Sequence, residues 1–191
     1  LRNVTPKDGI WWFDTSDRYL KEIDFFAPGA DGAYLRQSVS SMNPFAQRPI
    51  LAPNLVFPLT LPTEQTVDVY LRMRSTGYLQ VFIHPVLWKP EAFQSRQQQD
   101  RLAWFYYLGM ASALGLFNLL LFLSIRDRVY LFYVIAMAFI VLSVDCIAPG
   151  QGAKGIMYGD LWPNSPTFNL MTPLGSIYIS LLTTFYFTAA Y

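Results

Sequence analysis

The chain reads as two parts joined end to end: an antiparallel β-sandwich domain, then transmembrane α-helices. Three observations predict this. Only 14% of the 191 residues are charged, against roughly 25% in ordinary soluble domains. The charges are gathered at the front, with 11 of the 14 Lys and Arg and 10 of the 13 Asp and Glu at or before Arg101. Before that point apolar residues recur at every second position, and after it they form long unbroken runs.

The β domain is assigned to residues 1–93. Ile10 to Phe13 and Glu22 to Phe26 read as strands, followed by the hairpin-like turn "APGADG". In "LVFPLTL", 55–61, Leu55, Phe57, Leu59 and Leu61 share one face. In "VDVYLRMR", 67–74, Val67, Val69, Leu71 and Met73 share one face and Asp68, Tyr70, Arg72 and Arg74 the other. Leu79, Val81 and Ile83 alternate likewise. Period two marks a half-buried strand, and the joints "PTEQ" and "STG" carry turn residues. Short strands with frequent turns predict a sandwich.

Residues 94–101 are expected to form a polar helical stalk, within "KPEAFQSRQQQDR", where Pro90 suits a first helical position. Residues 102–191 are assigned to three spans, about 102–125, 129–148 and 171–191. The first, Leu102 to Ile125, holds 24 residues without a charge. At 1.5 Å per residue it covers roughly 36 Å, more than the ~30 Å hydrocarbon core. Lipid offers the backbone no partners, so such spans must be helical. The second run ends at Pro149 and Gly150, and "YGDLWPNSPTFN", 158–169, reads as an ordered loop whose Trp162 and Phe168 suit a membrane–water interface.

Between the first two spans stand Arg126, Asp127 and Arg128. Three residues cannot cross a bilayer, so the spans form an antiparallel hairpin with the charged turn in headgroup or water. Lys89, Arg96, Arg101 and Lys154 on one side against Arg126 and Arg128 on the other would put the turn outside by charge. Folded domains translocate regardless of charge, so the residues alone leave orientation open.

Polar and small residues in the spans have two readings each. Asn118 is either a ligand or gating contact or a hydrogen bond to a neighbouring helix. Gly109 with Ala113, and Ala111 with Gly115, stand four apart and permit close helix packing. Asp145 is either an ion or proton site or an interfacial acid near a helix end.

A net charge of +1 gives no basic patch for nucleic acid. One cysteine, Cys146, excludes an internal disulfide and a thiolate metal cluster, and one histidine, His84, excludes a histidine cluster. With no Gly-rich phosphate loop after a strand and no nucleophile–base pair, no catalytic residue, metal or cofactor is expected. Trp11, Trp12, Tyr34 and Trp88 are the candidates for stacking on a sugar face. Their other reading is as core or interface aromatics.

Two blocks resemble a known family. They are "PFAQRPILAPNLVFPLTLP", 44–62, continued by "VYLRMRSTGYLQVFIHPVLWKPEAF", 69–93, and "YYLGMASALGLFNLLLFLSIRDRVYLFYV", 106–134, followed by "LWPNSP", 161–166. The chain resembles bacterial seven-transmembrane receptors with diverse intracellular signalling modules, with the first block similar to the end of their type 2 extracellular domain. The resemblance implies a jelly-roll-like extracytoplasmic sandwich similar to carbohydrate-binding modules, with strands before Leu1. It implies a cytoplasmic Arg-Asp-Arg turn and a multi-pass protein of the bacterial inner membrane with a periplasmic N-terminal domain. It also implies four further spans and an output module, such as a diguanylate cyclase or histidine kinase, beyond Tyr191. Residues 1–43 match loosely, and "APGQGAKGIMYGD" is longer than the family's loop, so no ligand residue is carried over.

On this reading the chain is the input half of a receptor, itself no enzyme. It detects a small-molecule or carbohydrate ligand, with membrane lipid and a second copy in a homodimer as further partners. The rival expectation is a transporter or channel fragment with a β-rich cap, for which Asn118 and Asp145 would line the path.

Overall fold

The computed structural model describes residues 1–4, 9–16, 20–29, 32–74, 84–147, 156–161 and 163–189. Contacts divide the chain into a unit of Leu1–Gln97 with Tyr158–Pro166, and a unit of Gln98–Met157 with Thr167–Tyr191.

The first unit is built on six strands: β1 (Gly9–Asp14), β2 (Glu22–Pro28), β3 (Tyr34–Val39), β4 (Val56–Leu61), β5 (Tyr70–Arg74) and β6 (Val86–Trp88). They form two antiparallel sheets, ordered β4-β1-β6 and β3-β2-β5. The alternation expected for 55–61 holds: Leu55, Phe57, Leu59 and Leu61 all enter the core. There they meet Ile23, Phe25 and Ala27 of β2. Phe25 lies 5.3 Å from Phe13 and 5.0 Å from Phe57, ring centre to ring centre, so three aromatics tie the sheets together. Pro58 lacks an N–H and sits on β4, the edge of its sheet among the described strands, a place that tolerates a missing ladder donor.

Strand β3 was not among the expected strands. Only Val39 of "YLRQSV" is buried, so the segment carries almost no apolar alternation. It is a strand because its backbone pairs with β2 across the whole register Ile23↔Val39 to Pro28↔Tyr34. The expected turn before it is a hairpin connection, in which Gly29 N–H donates to Ala33 O at 2.7 Å and Gly32 takes φ +80°. Leu79, Val81, Ile83 and the "STG" turn lie outside the described residues.

The helices are α1 (Pro90–Ile125), α2 (Arg128–Ile147), α3 (Ile156–Leu161) and α4 (Pro166–Ala189). Helix α1 runs without a break through the polar stalk and the first apolar run, 36 residues or about 54 Å. It is the one described helix long and apolar enough to cross a membrane, and Arg128–Val144 and Leu174–Tyr186 are shorter apolar stretches. Phe105, Met110, Leu116, Phe117, Leu120 and Leu123 stand exposed along α1, as lipid-facing residues would. Helix α3 occupies part of the stretch expected to be loop. It is a single short helix bounded by "WPNSP", whose prolines forbid its continuation.

In the second unit Trp104 is buried against Val141, with Tyr107, Leu108 and Ala111 beside it. Phe132 of α2 stacks on Tyr186 of α4 at 5.6 Å. A cleft of about 470 Å³ between these helices is lined by Tyr107, Met110, Leu114, Tyr133, Met137 and Thr184.

The charged turn has a specific construction. Arg126 takes a left-handed conformation, φ 59°, and its N–H donates to Phe122 O at 2.7 Å, closing α1. Asp127 then caps α2, its Oδ1 accepting from Val129 N–H at 3.0 Å. A left-handed L-residue costs about 1–2 kcal/mol, which glycine does not pay. Arg126→Gly should therefore raise the stability of the membrane unit by about 1 kcal/mol, and Asp127→Ala lower it by a similar amount. Unfolding of the detergent-solubilised protein by increasing SDS, followed by circular dichroism, reads both signs.

Candidate functional site

Two regions of the β unit are candidate functional surfaces. The first is the joint with α1. On β1 and β6 the outward residues Trp12 and Trp88 are register partners, since alternation that sends Phe13 and Leu87 inward sends them out. They do not stay in water. Phe93, in the first turn of α1, packs on Trp12 at 5.2 Å and Trp88 at 6.3 Å, both edge to face. Ala52 and Val56 complete this small second core. Pro90 opens α1 two residues after Trp88 and so sets Phe93 over the sheet.

A polar loop braces the same region. Arg48 is almost fully buried, and its Nη1 donates to the carbonyls of Ala52 at 2.8 Å and Pro53 at 2.7 Å. Its guanidinium lies 5.3 Å from the centre of the Phe45 ring. Gln97 of α1 reaches the carbonyl of Leu51 at 3.4 Å.

The second region is the outward face of the sheet β3-β2-β5. Alternation places Glu22, Asp24 and Phe26 of β2 there, flanked by Tyr34 and Arg36 of β3 and by Tyr70, Arg72 and Arg74 of β5. Asp24 is only 1% exposed, yet charged neighbours surround it. Arg36 donates to its Oδ1 from Nε at 3.0 Å and Nη2 at 2.9 Å, and Arg72 Nε stands 3.5 Å from Oδ2. Burial pushes the Asp24 carboxyl up, but hydrogen bonds from Ser38 and Arg36 and the charges of Arg36 and Arg72 outweigh it and hold it below the usual carboxylate value. Arg74 pairs with Glu22 at 3.1 Å. Beside this charged ladder the rings of Tyr34 and Tyr70 meet at 5.5 Å, tilted 58°, and both stay open to solvent, 48% and 58% exposed.

The four aromatic candidates therefore fall in three places. Trp11 packs against the inner core, with Lys89 Nζ 5.8 Å from its ring. Trp12 and Trp88 sit together under α1. Tyr34 alone presents its ring on an open face, and its companion there is Tyr70. In the helices, a Cβ on Gly109 would meet nothing within 4 Å, whereas one on Gly115 would stand 4.0 Å from Met137 Sδ of α2. Ala113 is exposed, and Asn118 Nδ2 donates to Leu114 O at 2.8 Å on its own helix. The side chains of Asp145, Cys146 and Trp162 lie outside the described residues. Among the described residues no group of three or more His, Cys, Asp or Glu is placed to hold a metal.

Comparison with known families divides the chain as its composition does. Residues 1–89 match the family model described as 7TMR-DISM extracellular 2, and residues 100–191 match that described as 7TM diverse intracellular signalling. The chain belongs to the 7TMR-DISM receptor family. No curated protein and no solved structure matches it. As a 7TMR-DISM receptor it is a membrane protein with an extracellular N-terminal sensor domain and a membrane domain for signalling. The unmatched residues between the two regions are the polar opening turns of α1, where Phe93 and Gln97 engage the β unit.

Proposed function

We propose that this part of the 7TMR-DISM receptor is its input half. It binds a carbohydrate on the outward face of β3-β2-β5 and passes the result through α1 to a cytoplasmic output module. One observation carries the ligand assignment: Tyr34 and Tyr70 form an exposed aromatic pair bordered by three arginines and two acids whose positions the strand register sets. A sugar ring needs an apolar face to stack on and directional polar groups for its hydroxyls, and this face supplies both. Asp24 holds Arg36 and Arg72 in place, so little ordering is left to be done on binding. The transmission route rests on Phe93, which joins the sheet that holds Trp12 and Trp88 to a helix continuous with the first span. Lipid covers the exposed apolar flank of α1. The Arg126–Asp127 turn faces the cytoplasm of a bacterial inner membrane.

The test is a glycan array probed with the protein in nanodiscs. Tyr70→Ala and Tyr34→Ala are each expected to lower binding of the retained glycans at least tenfold, about 1.4 kcal/mol. Trp11→Phe, on the core side of the other sheet, should leave binding unchanged. Equal retention by the wild type and both tyrosine variants would remove this face from consideration.

A further inference from the structure

The stretch around residue 160 belongs to the β unit although it is separated from the strands by more than one helix in sequence. Two contacts with Phe45 help attach it. Phe45 N–H donates to the carbonyl of Pro163 at 2.9 Å. Gly159, in α3, lies against the far end of the Phe45 ring, and a Cβ there would stand 3.1, 3.2 and 3.5 Å from the Cζ, Cε1 and Cε2 carbons. Only a residue without a side chain permits that approach without displacing the ring.

Phe45 is itself held. It opens a 3-10 turn, Phe45–Gln47, and Arg48, anchored on the Ala52 and Pro53 carbonyls, lies over its ring. Ala52 packs on Phe93, and Leu51 accepts from Gln97. A single segment, 45–53, thus touches the opening turns of α1 at one end and α3 at the other. Helix α3 lies between α2 and α4 in the chain, and α4 begins at Pro166, three residues after Pro163.

We propose that segment 45–53 is a coupling element with two handles, Phe93 on α1 and Gly159 on the α2–α4 connection. Arg48 serves as the positioning residue that keeps the handles in register. The sensor domain then governs the start of α1 and the connection between α2 and α4 together. This rests on the receptor reading above, and adds a second route by which the β domain addresses the membrane helices. Coupling between the handles is reciprocal, so loosening one loosens the other.

Hydrogen–deuterium exchange of the whole chain in nanodiscs, without ligand, tests it. Gly159→Val drives a branched side chain into the Phe45 ring. Peptides covering 44–49 and 156–164 should exchange at least tenfold faster than in the wild type, and the peptide covering 90–97 several-fold faster. The β2 peptide covering 22–28 should not change. Phe45→Leu, which shortens the ring from the other side, should reproduce the pattern and stands in if Gly159→Val does not fold. Unchanged protection at 44–49 would show that the contact does not form. Fast exchange at 44–49 with 90–97 unaltered would show contact without coupling. Either result overturns the proposal. Because no ligand is present, failure of the carbohydrate assignment leaves these exchange rates as they are, and the two ideas fail separately.

Discussion

Phe25→Ala should lower the melting temperature of the β domain by about 20 °C. Phe25 is fully buried and is the ring on which the other two core aromatics, one from each of two neighbouring strands in the opposite sheet, converge. Truncating a fully buried phenylalanine removes its transfer free energy and leaves a cavity, about 3–5 kcal/mol together. A domain of this size holds only about 5–15 kcal/mol in total, and each kcal/mol is worth about 4–8 °C. With only three described strands per sheet, the wall around the hole has few other contacts with which to relax. Near-ultraviolet circular dichroism of the reconstituted protein during heating follows the aromatic core directly. A transition within a few degrees of the wild type would mean that Phe25 does not bridge the two sheets. Phe25→Leu, which keeps most of the volume, should cost much less.

Arg48→Ala is expected to cost about 3 kcal/mol and to loosen the joint with α1 as well as the domain. Its guanidinium donates to two carbonyls, those of Ala52 and Pro53, in a loop where Ala52 is fully buried. Charge-assisted hydrogen bonds are stronger than neutral ones, and a buried acceptor that loses its donor costs about 1–3 kcal/mol. The loop meets α1 through Ala52 and Phe93, so the loss should also show as faster proteolysis at the opening of α1. Arg48→Lys keeps the charge but not the flat fork that donates to two carbonyls while lying over Phe45, and should recover part of the stability only. Thermal melts of the two variants beside the wild type order them as wild type above lysine above alanine. If alanine and wild type melt together, Arg48 does not hold the loop.

Much of the fold was legible because it rests on periodicity. Residues 55–61 and 67–74 state their inward and outward faces by alternation alone; Val67, Val69 and Leu71 pack on the core as the pattern has it, while Met73, at the end of the run, is left exposed. The apolar length of α1 is likewise a property of composition. Strand β3 was hidden, because the register with β2 and not its own side chains makes it a strand. Helix α3 was hidden for a related reason: its place is decided by Phe45, more than a hundred residues earlier, and no local pattern reports such a contact.

The candidate site was legible in part. Tyr34 stands out as an aromatic, but nothing local distinguishes it from Trp12 or Trp88, which alternation also sends outward. What separates them is a third body: Phe93 covers the tryptophans, while among the described residues the tyrosines meet only each other as rings. Alternation puts Tyr70 on the outward face of its strand but does not link it to Tyr34, since β3 and β5 each pair with β2 and not with each other. Arg48 gave no signal of burial, because a lone arginine in a proline-rich loop reads as solvated until its acceptors are known.

The joint between α1 and α2 is only two residues long, one spent on ending a helix and the next on starting another. Such a link has no slack. If α1 slides along its axis like a piston, α2 is dragged by nearly the same distance in the opposite sense of its own chain direction. The hairpin therefore answers a push on its outer end as one stiff object, and motion arriving at residue 90 is not absorbed at residue 126.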